Sequence, residues 1–311
     1  MSTLIPITDR GANAKDDSNS KYERMHRLLS ASHAQRLAPT LEVADFERDL
    51  AREAYLRRIE RVFVEAEREA VARELRAVPT EPTQFVHWFA ALERTGPGQH
   101  DALFPWLAEH ASLRQMCWFL QQELAGEAGF DDLVALTQVK LPIRPKLELA
   151  RNYWDVMGQG HEGGMHGPML DALAQALQLG PGGHTVWQSL ALSNLMIALA
   201  TARHYAYQSV GALGVIELTA PARSELVNAG LKRLGIGGAA RRYYALHATL
   251  DVRHSAAWNR EVLQPLVASD PRIAPCIAEG ALLRLRAGER CFQRYRQELW
   301  AKDRQELWAR S

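Results

Sequence analysis

Cysteine is scarce. Cys117, Cys276 and Cys291 stand far apart among 311 residues and form no CxxC pair. They cannot all pair with one another, so reduced thiols in a cytoplasmic protein are the expectation. Long apolar runs are also missing. The longest, over residues 190–202, falls short of the ~20 residues that cross a bilayer and fits a buried helix. The N-terminus lacks a basic segment followed by an apolar core, so no signal peptide is expected. Neither charge sign is in excess: 37 Lys and Arg against 36 Asp and Glu leave a net +1. No global field therefore draws the chain to nucleic acid or an anionic membrane. Alternation of period two is almost absent, which excludes a sheet-based fold.

What remains is helix. Residues 1–20 are polar, and a disordered tail is expected there. A helical extension follows over residues 21–80. Within it, Phe46, Leu50, Tyr55, Ile59, Phe63 and Val64 recur at helical spacing over residues 40–77, opposite a face of interleaved Arg and Glu. The main body spans residues 81–295. Its helices are expected at 101–128 (broken near Phe104-Pro105), 130–139, 146–157, 168–180 and 185–218. Gly211 and Gly214 interrupt the last of these, and Pro221 is read as starting another. A Gly-rich turn over residues 158–168 separates two of them. The tail, 296–311, repeats Arg-Gln-Glu-Leu-Trp-Ala twice. Two copies cannot build a solenoid, and Trp300 and Trp308 are expected to be exposed or docked on a partner. The fold class is all-α, one bundle with an N-terminal helical extension.

The chemistry concentrates in residues 243–261, a run free of Gly and Pro. It places His247, Asp251 and His254 at i, i+4 and i+7, within roughly 60° of one helical face. Leu246, Leu250, Trp258 and Val262 lie on or beside the same stripe, so the stripe should face inward, where ionisable groups need partners or a metal. Imidazoles and a carboxylate on one stripe suit iron, manganese or zinc. Other acids could complete such a site. Glu217 sits in the apolar stretch Gly-Ala-Leu-Gly-Val-Ile-Glu. Glu123, with Glu127 one turn on, follows Trp118-Phe-Leu-Gln-Gln. Asp155 follows Tyr153-Trp154, and His161 and His166 lie in or just after the Gly-rich turn. Four helices that each offer such a group to one core make the arrangement of di-iron carboxylate bundles.

These residues resemble the haem-oxygenase-like di-iron oxidases, the iron-containing redox enzymes, over roughly residues 85–295. The resemblance rests on Phe119-Leu-Gln-Gln-Glu123, Asn152-Tyr-Trp-Asp155 with Gly158-Gln-Gly160 and Met165-His166, Ile216-Glu217, and His247-x3-Asp251-x2-His254. It implies a haem-oxygenase-like bundle and a metal set of Glu123, Asp155, His166, Glu217, His247, Asp251 and His254, with Glu127 the runner-up to Glu123. It implies two ferrous ions, or manganese with iron, and O2 as co-substrate. The expected partner is a small molecule (a fatty acid, an amino acid or an amine), not nucleic acid or a membrane. A homodimer is the candidate assembly. The chain departs from the family pattern at Val156, where a glutamate ligand is usual. Either Asp155 or Glu148 substitutes, or one iron site is impaired. The alternative is a helical scaffold of the same fold that has lost its chemistry. Haem- or thiamin-handling relatives would need a proximal histidine or a nucleophilic cysteine, and His87 and Cys117 do not explain the ordered Glu, His, Asp and His set. Tyr205, Tyr207 and the Gly211–Gly214 segment are expected to line the pocket.

Overall fold

A computed structural model describes residues 10–41, 45–127, 129–180 and 184–308; side chains are described from residue 19 to residue 301 within these ranges. The described residues are helical, with no strand. α1 (Arg10–Leu37) begins earlier than expected and takes in residues 10–20. Extending an existing helix costs far less than nucleating one, and Asn19 accepts a hydrogen bond from the Trp187 indole. Residues 1–9 lie outside the described residues.

α2 (Phe46–Val71) is capped by the Asp45 carboxylate, which accepts from the Arg48 N–H. Its second half follows the sequence pattern, with Phe63 and Val64 buried. Its first half does not: Phe46, Leu50 and Tyr55 are exposed, because the bundle reaches only the later turns of α2. α3 (Pro82–Thr95) carries proline at the first helical position. α4 (Leu103–Glu109) and α5 (Leu113–Gly126) divide the expected 101–128 helix. The break falls at residues 110–112 rather than at Pro105. Proline is tolerated in a first turn, whereas Ser112 and Gln115 form a reciprocal capping box that starts a new helix.

α6 (Phe130–Thr137), α7 (Ile143–Val156) and α8 (His166–Ala176) follow. Between α7 and α8, Gly158 and Gly160 adopt φ of +61° and +85°, open to glycine without strain. A β-carbon on Gly158 would lie 2.5 Å from the Gly164 carbonyl carbon. This tight turn delivers His166 to the first position of α8.

The expected 185–218 helix is two helices, α9 (Trp187–Thr201) and α10 (Ala206–Arg233). The chain breaks at Ala202, which is extended, not at the glycines. Nor does Pro221 start a helix; it lies inside α10. Having no N–H, it leaves the Glu217 carbonyl without its usual i+4 donor. Gly211 serves close approach instead. A β-carbon there would fall 1.8 Å from the Ile277 carbonyl oxygen, and one on Gly280 would fall 1.8 Å from that of Gln208.

α11 (Arg242–Trp258) carries the His-Asp-His stripe and passes through a π turn at Asn259–Leu263 into α12 (Gln264–Ser269). α13 (Ile273–Trp308) continues through the described part of the tandem repeat as one helix. α10 is the central element, flanked along its length by α11 and α13, while α1 packs on α9 and α2 on α13. Trp300 is half-buried, edge-on to Trp106 with ring centroids 6.3 Å apart, so it docks on its own chain. The side chain of Trp308 lies outside the described residues. The three cysteines are free thiols. No helix among the described residues is long and apolar enough to cross a membrane.

Candidate metal centre

The α11 stripe faces inward as its spacing predicts, with His247 and Asp251 buried. It meets Glu217, buried on α10. Among the described residues, Glu217, Asp251 and His254 each offer a ligand atom within 4.8 Å of the others. His254 Nδ1 lies 3.3 Å from Glu217 Oε2 and 3.8 Å from Asp251 Oδ1. The other ring nitrogen, Nε2, lies 3.1 Å from Asp155 Oδ2 on α7. Asp155 therefore sits on the far side of His254 from the cluster and orients the ring, the outer-shell position that ligating histidines usually have filled. Asn152, one turn earlier on α7, donates from Nδ2 to Glu217 Oε1 at 2.7 Å.

Val156 is buried in the apolar core and does not line the cavity described below. Glu148 pairs with Arg151 at 2.7 Å instead of entering the cluster. Of the two proposed substitutes, α7 thus brings Asp155 to the site.

The second group gathers around His247. Its Nδ1 is 2.7 Å from the Tyr243 carbonyl oxygen. A proton on Nδ1 satisfies that bond and leaves Nε2 as a free donor for a metal. The His166 ring packs at 4.4 Å between centroids, and its buried Nδ1 has no partner among the described residues. The Tyr243 hydroxyl donates to Glu127 at 3.4 Å, a long contact.

Between Glu123 on α5 and Glu127 at its C-cap the structure separates roles. Glu127 lies against Tyr243 and within electrostatic reach of Asp251. Glu123 faces the Arg223 and Arg284 guanidiniums. Both line the cavity described below, and it is the runner-up whose charge acts on Asp251. His161 is an exposed loop residue.

Charge at the site is strained without a cation. Burial, then the Glu217 charge, pushes the Asp251 carboxyl far above its ordinary value. Burial and then Glu123 lift Glu127 to about 7. Burial, with His247 and His254 nearby, lowers His166 to about 2, so that imidazole is neutral. Burial also lowers His247. For His254 burial acts downward but is outweighed by the hydrogen bond and charge of Glu217, then Asp155 and Asp251, which raise it to about 9. Converging buried carboxylates, neutral imidazoles and an orphaned ring nitrogen make a donor set that fits a divalent cation.

These groups open on a cavity of about 130 Å³, whose apolar wall includes Leu192, Met196, Ile216 and Val227. Tyr205, Tyr207 and the Gly211–Gly214 segment do not line it. Tyr205 bonds Glu65 at 2.6 Å, and Gly214 is covered by Trp258. Sequence reading missed Arg223, Arg284, Tyr243 and Tyr244, which do line the cavity. Nothing in the sequence distinguishes those arginines from the many on the surface.

No curated protein matches the chain. Residues 117–289, more than half of the chain, match the sequence profile of the iron-containing redox enzymes. The matched segment runs from α5 into α13 and carries all seven residues expected as ligands. That span, together with the all-α architecture and the Glu217, Asp251 and His254 cluster, shows that the chain belongs to the iron-containing redox enzyme family, whose fold is haem-oxygenase-like and whose iron-dependent function is oxidative.

Proposed function

We propose that the protein is a non-haem di-iron oxidase or oxygenase that uses O2 on a small organic substrate. The observation that carries this reading is the pair of adjoining donor groups on one cavity: Glu217, Asp251 and His254, beside His247, His166 and Glu127. The first group would hold one iron and the second the other, with Asp251 between them on α11 and Glu123 the further acid of the cavity. Oxygen- and nitrogen-rich ligation of this kind supports activation of O2 by ferrous iron.

The chain's own residues do the rest. Asp155 fixes His254 by its Nε2, and the Tyr243 carbonyl fixes His247 by its Nδ1. Asn152 holds one Glu217 oxygen and so limits how that carboxylate turns. The apolar wall excludes water and presents a substrate body to the ligand cluster.

A scaffold without chemistry is the reading that Val156 would support. Against it, Asp155 fills the α7 position facing His254, and a degenerate site has no reason to keep several buried ionisable groups converging. The deciding experiment is an anaerobic ferrous titration followed by rapid mixing with O2 under optical detection, with and without candidate fatty acids, amino acids and amines. About two irons per chain and a transient visible absorption are expected. No bound iron, or iron inert to O2 under every condition, would refute the reading.

A further inference from the structure

Arg223 on α10 and Arg284 on α13 line the same cavity as the ligand cluster, and neither makes an ion pair among the described residues. Arg223 donates to the Thr219 hydroxyl at 3.0 Å, and its guanidinium lies over the Phe104 and Phe292 rings at 5.9 and 5.6 Å. No hydrogen bond holds the Arg284 guanidinium among the described residues.

Two cations set side by side in a cavity repel each other. Burial and then Arg284 bring Arg223 down to about 10, and burial lowers Arg284. The acids that face them are Glu123, which faces both, and Glu127, which faces Arg284. A guanidinium is always charged and offers a planar fork of donors. No carboxylate holds either fork within ion-pair distance among the described residues, so their donors stay open, and a carboxylate is the group that fork fits bidentately.

Arg284 faces Glu127, but both arginines stand apart from the α10 and α11 ligands and from His166. Arg223 follows Glu217 by six residues, about 9 Å along a helix axis. The charges felt by His166, His247, Asp251 and His254 include neither arginine. The apolar lining of the same cavity includes Leu192, Met196, Ile216 and Val227.

We propose that Arg223 and Arg284 form an anion subsite that holds the carboxylate of an organic acid with an apolar body, away from the α11 ligands, so that the body rather than the acid group is presented to them. The proposal rests on the oxidase reading for the word substrate. The subsite itself stands on the cavity and its unpaired arginines, and it is tested without metal.

The test is calorimetric titration of the full-length, metal-free protein with octanoate, decanoate and 3-phenylpropanoate, and with the corresponding alcohols. At least one acid is expected to bind ten times more tightly than its alcohol. Arg223→Gln and Arg284→Gln, checked for native circular dichroism, are each expected to weaken that acid by about tenfold to a hundredfold, the loss of a charge-assisted hydrogen bond, and to leave the alcohol unchanged. Lysine at either position should recover part of the loss. Ferrous titration of the glutamine variants should match wild type. Acids that bind no better than their alcohols, or not at all, overturn the proposal even if the variants fail to fold; so do folded glutamine variants that bind the acid as wild type does. A wild-type chain that binds the acid through these arginines but takes up no iron would keep the subsite and remove the oxidase reading. An acid that binds only after iron is added, and equally well in the glutamine variants, would place the carboxylate on the metal and overturn the proposal.

Discussion

The contact between α10 and α13 controls how far Glu217 and Arg223 stand from Arg284, and two glycines set it. The decisive perturbation is Gly211→Ala. The added methyl would fall 1.8 Å from the Ile277 carbonyl oxygen and 2.7 Å from its carbon. Ordinary contact begins at 3.4 Å, so α10 and α13 must part by about 1.6 Å along that line. The obstacle is backbone inside a helix, which cannot rotate away as a side chain can. Overpacking of this kind costs about 1–3 kcal/mol, and sometimes more. The upper end applies here because Gly280 faces Gln208 just as closely in the same crossing, so no neighbouring slack can absorb the shift. For a chain of 311 residues about 3 kcal/mol lowers Tm by roughly 5 °C. The assay is differential scanning calorimetry of the metal-free protein beside Gly238→Ala, whose β-carbon would meet nothing within 4 Å. The control should melt within about 2 °C of wild type. Displacement of α10 relative to α13 should also weaken any acid that bridges α10 and α13. A Gly211→Ala protein that melts with wild type would refute the close-packed crossing and the cavity geometry built on it.

Further outcomes follow from the site. Asp251→Ala should abolish ferrous binding while leaving the helical circular dichroism intact; wild-type iron content in that variant would remove Asp251 from the ligand set. Asp155→Ala, which frees the Nε2 of His254, should weaken iron binding by about 10- to 100-fold without abolishing it, and an unchanged affinity would show that Asp155 does not orient the ring. Val156→Glu should lower stability by burying a charge and add no iron, whereas a doubled iron content would show that the natural site is incomplete. Above about pH 6.5 the metal-free protein should lose stability with rising pH; below it the lowered His166 and His247 oppose the raised Glu127. Glu127, raised from 4.5 to about 7 by burial and Glu123, makes the unfolded chain bind fewer protons than the folded one between those values, so its contribution falls across about pH 4.5–7. His254, raised from 6.5 to about 9 chiefly by Glu217 against the effect of burial, contributes stability that is complete below 6.5 and lost as pH rises through 9. Chemical denaturation from pH 6.5 to 10 checks this, and a metal-free protein that gains stability over that range would contradict the charge assignments.

Much of the molecule was legible in the chain. The absence of alternation and the helical recurrence of apolar residues determined an all-α fold, since period is a local property. The spacing of His247, Asp251 and His254 determined that they share one face of α11, because 3.6 residues per turn permits nothing else. Glu217, a charge in an apolar stretch, declared its need for a partner, and the structure supplies it on the neighbouring helix. Helix ends were less legible. Pro105 and Pro221 read as breaks, yet a first turn tolerates one and tertiary packing on both sides of α10 carries the other.

Only the tertiary structure decided the division of labour within the site. Glu123 on α5 and Glu127 at its C-cap lie one turn apart, and no sequence rule says which meets Tyr243 and which meets Arg223; the crossing of α5 with α10, α11 and α13 does. Asp155 was expected as a ligand, and its place on the far nitrogen of His254 depends on the angle between α7 and α11. Arg223 and Arg284 come from helices that meet only because Gly211 and Gly280 let two backbones touch. Sequence determined which groups each helix could offer. The approach of those helices, set by side-chain volume at residues far from the metal ligands, decided which of them share a cavity.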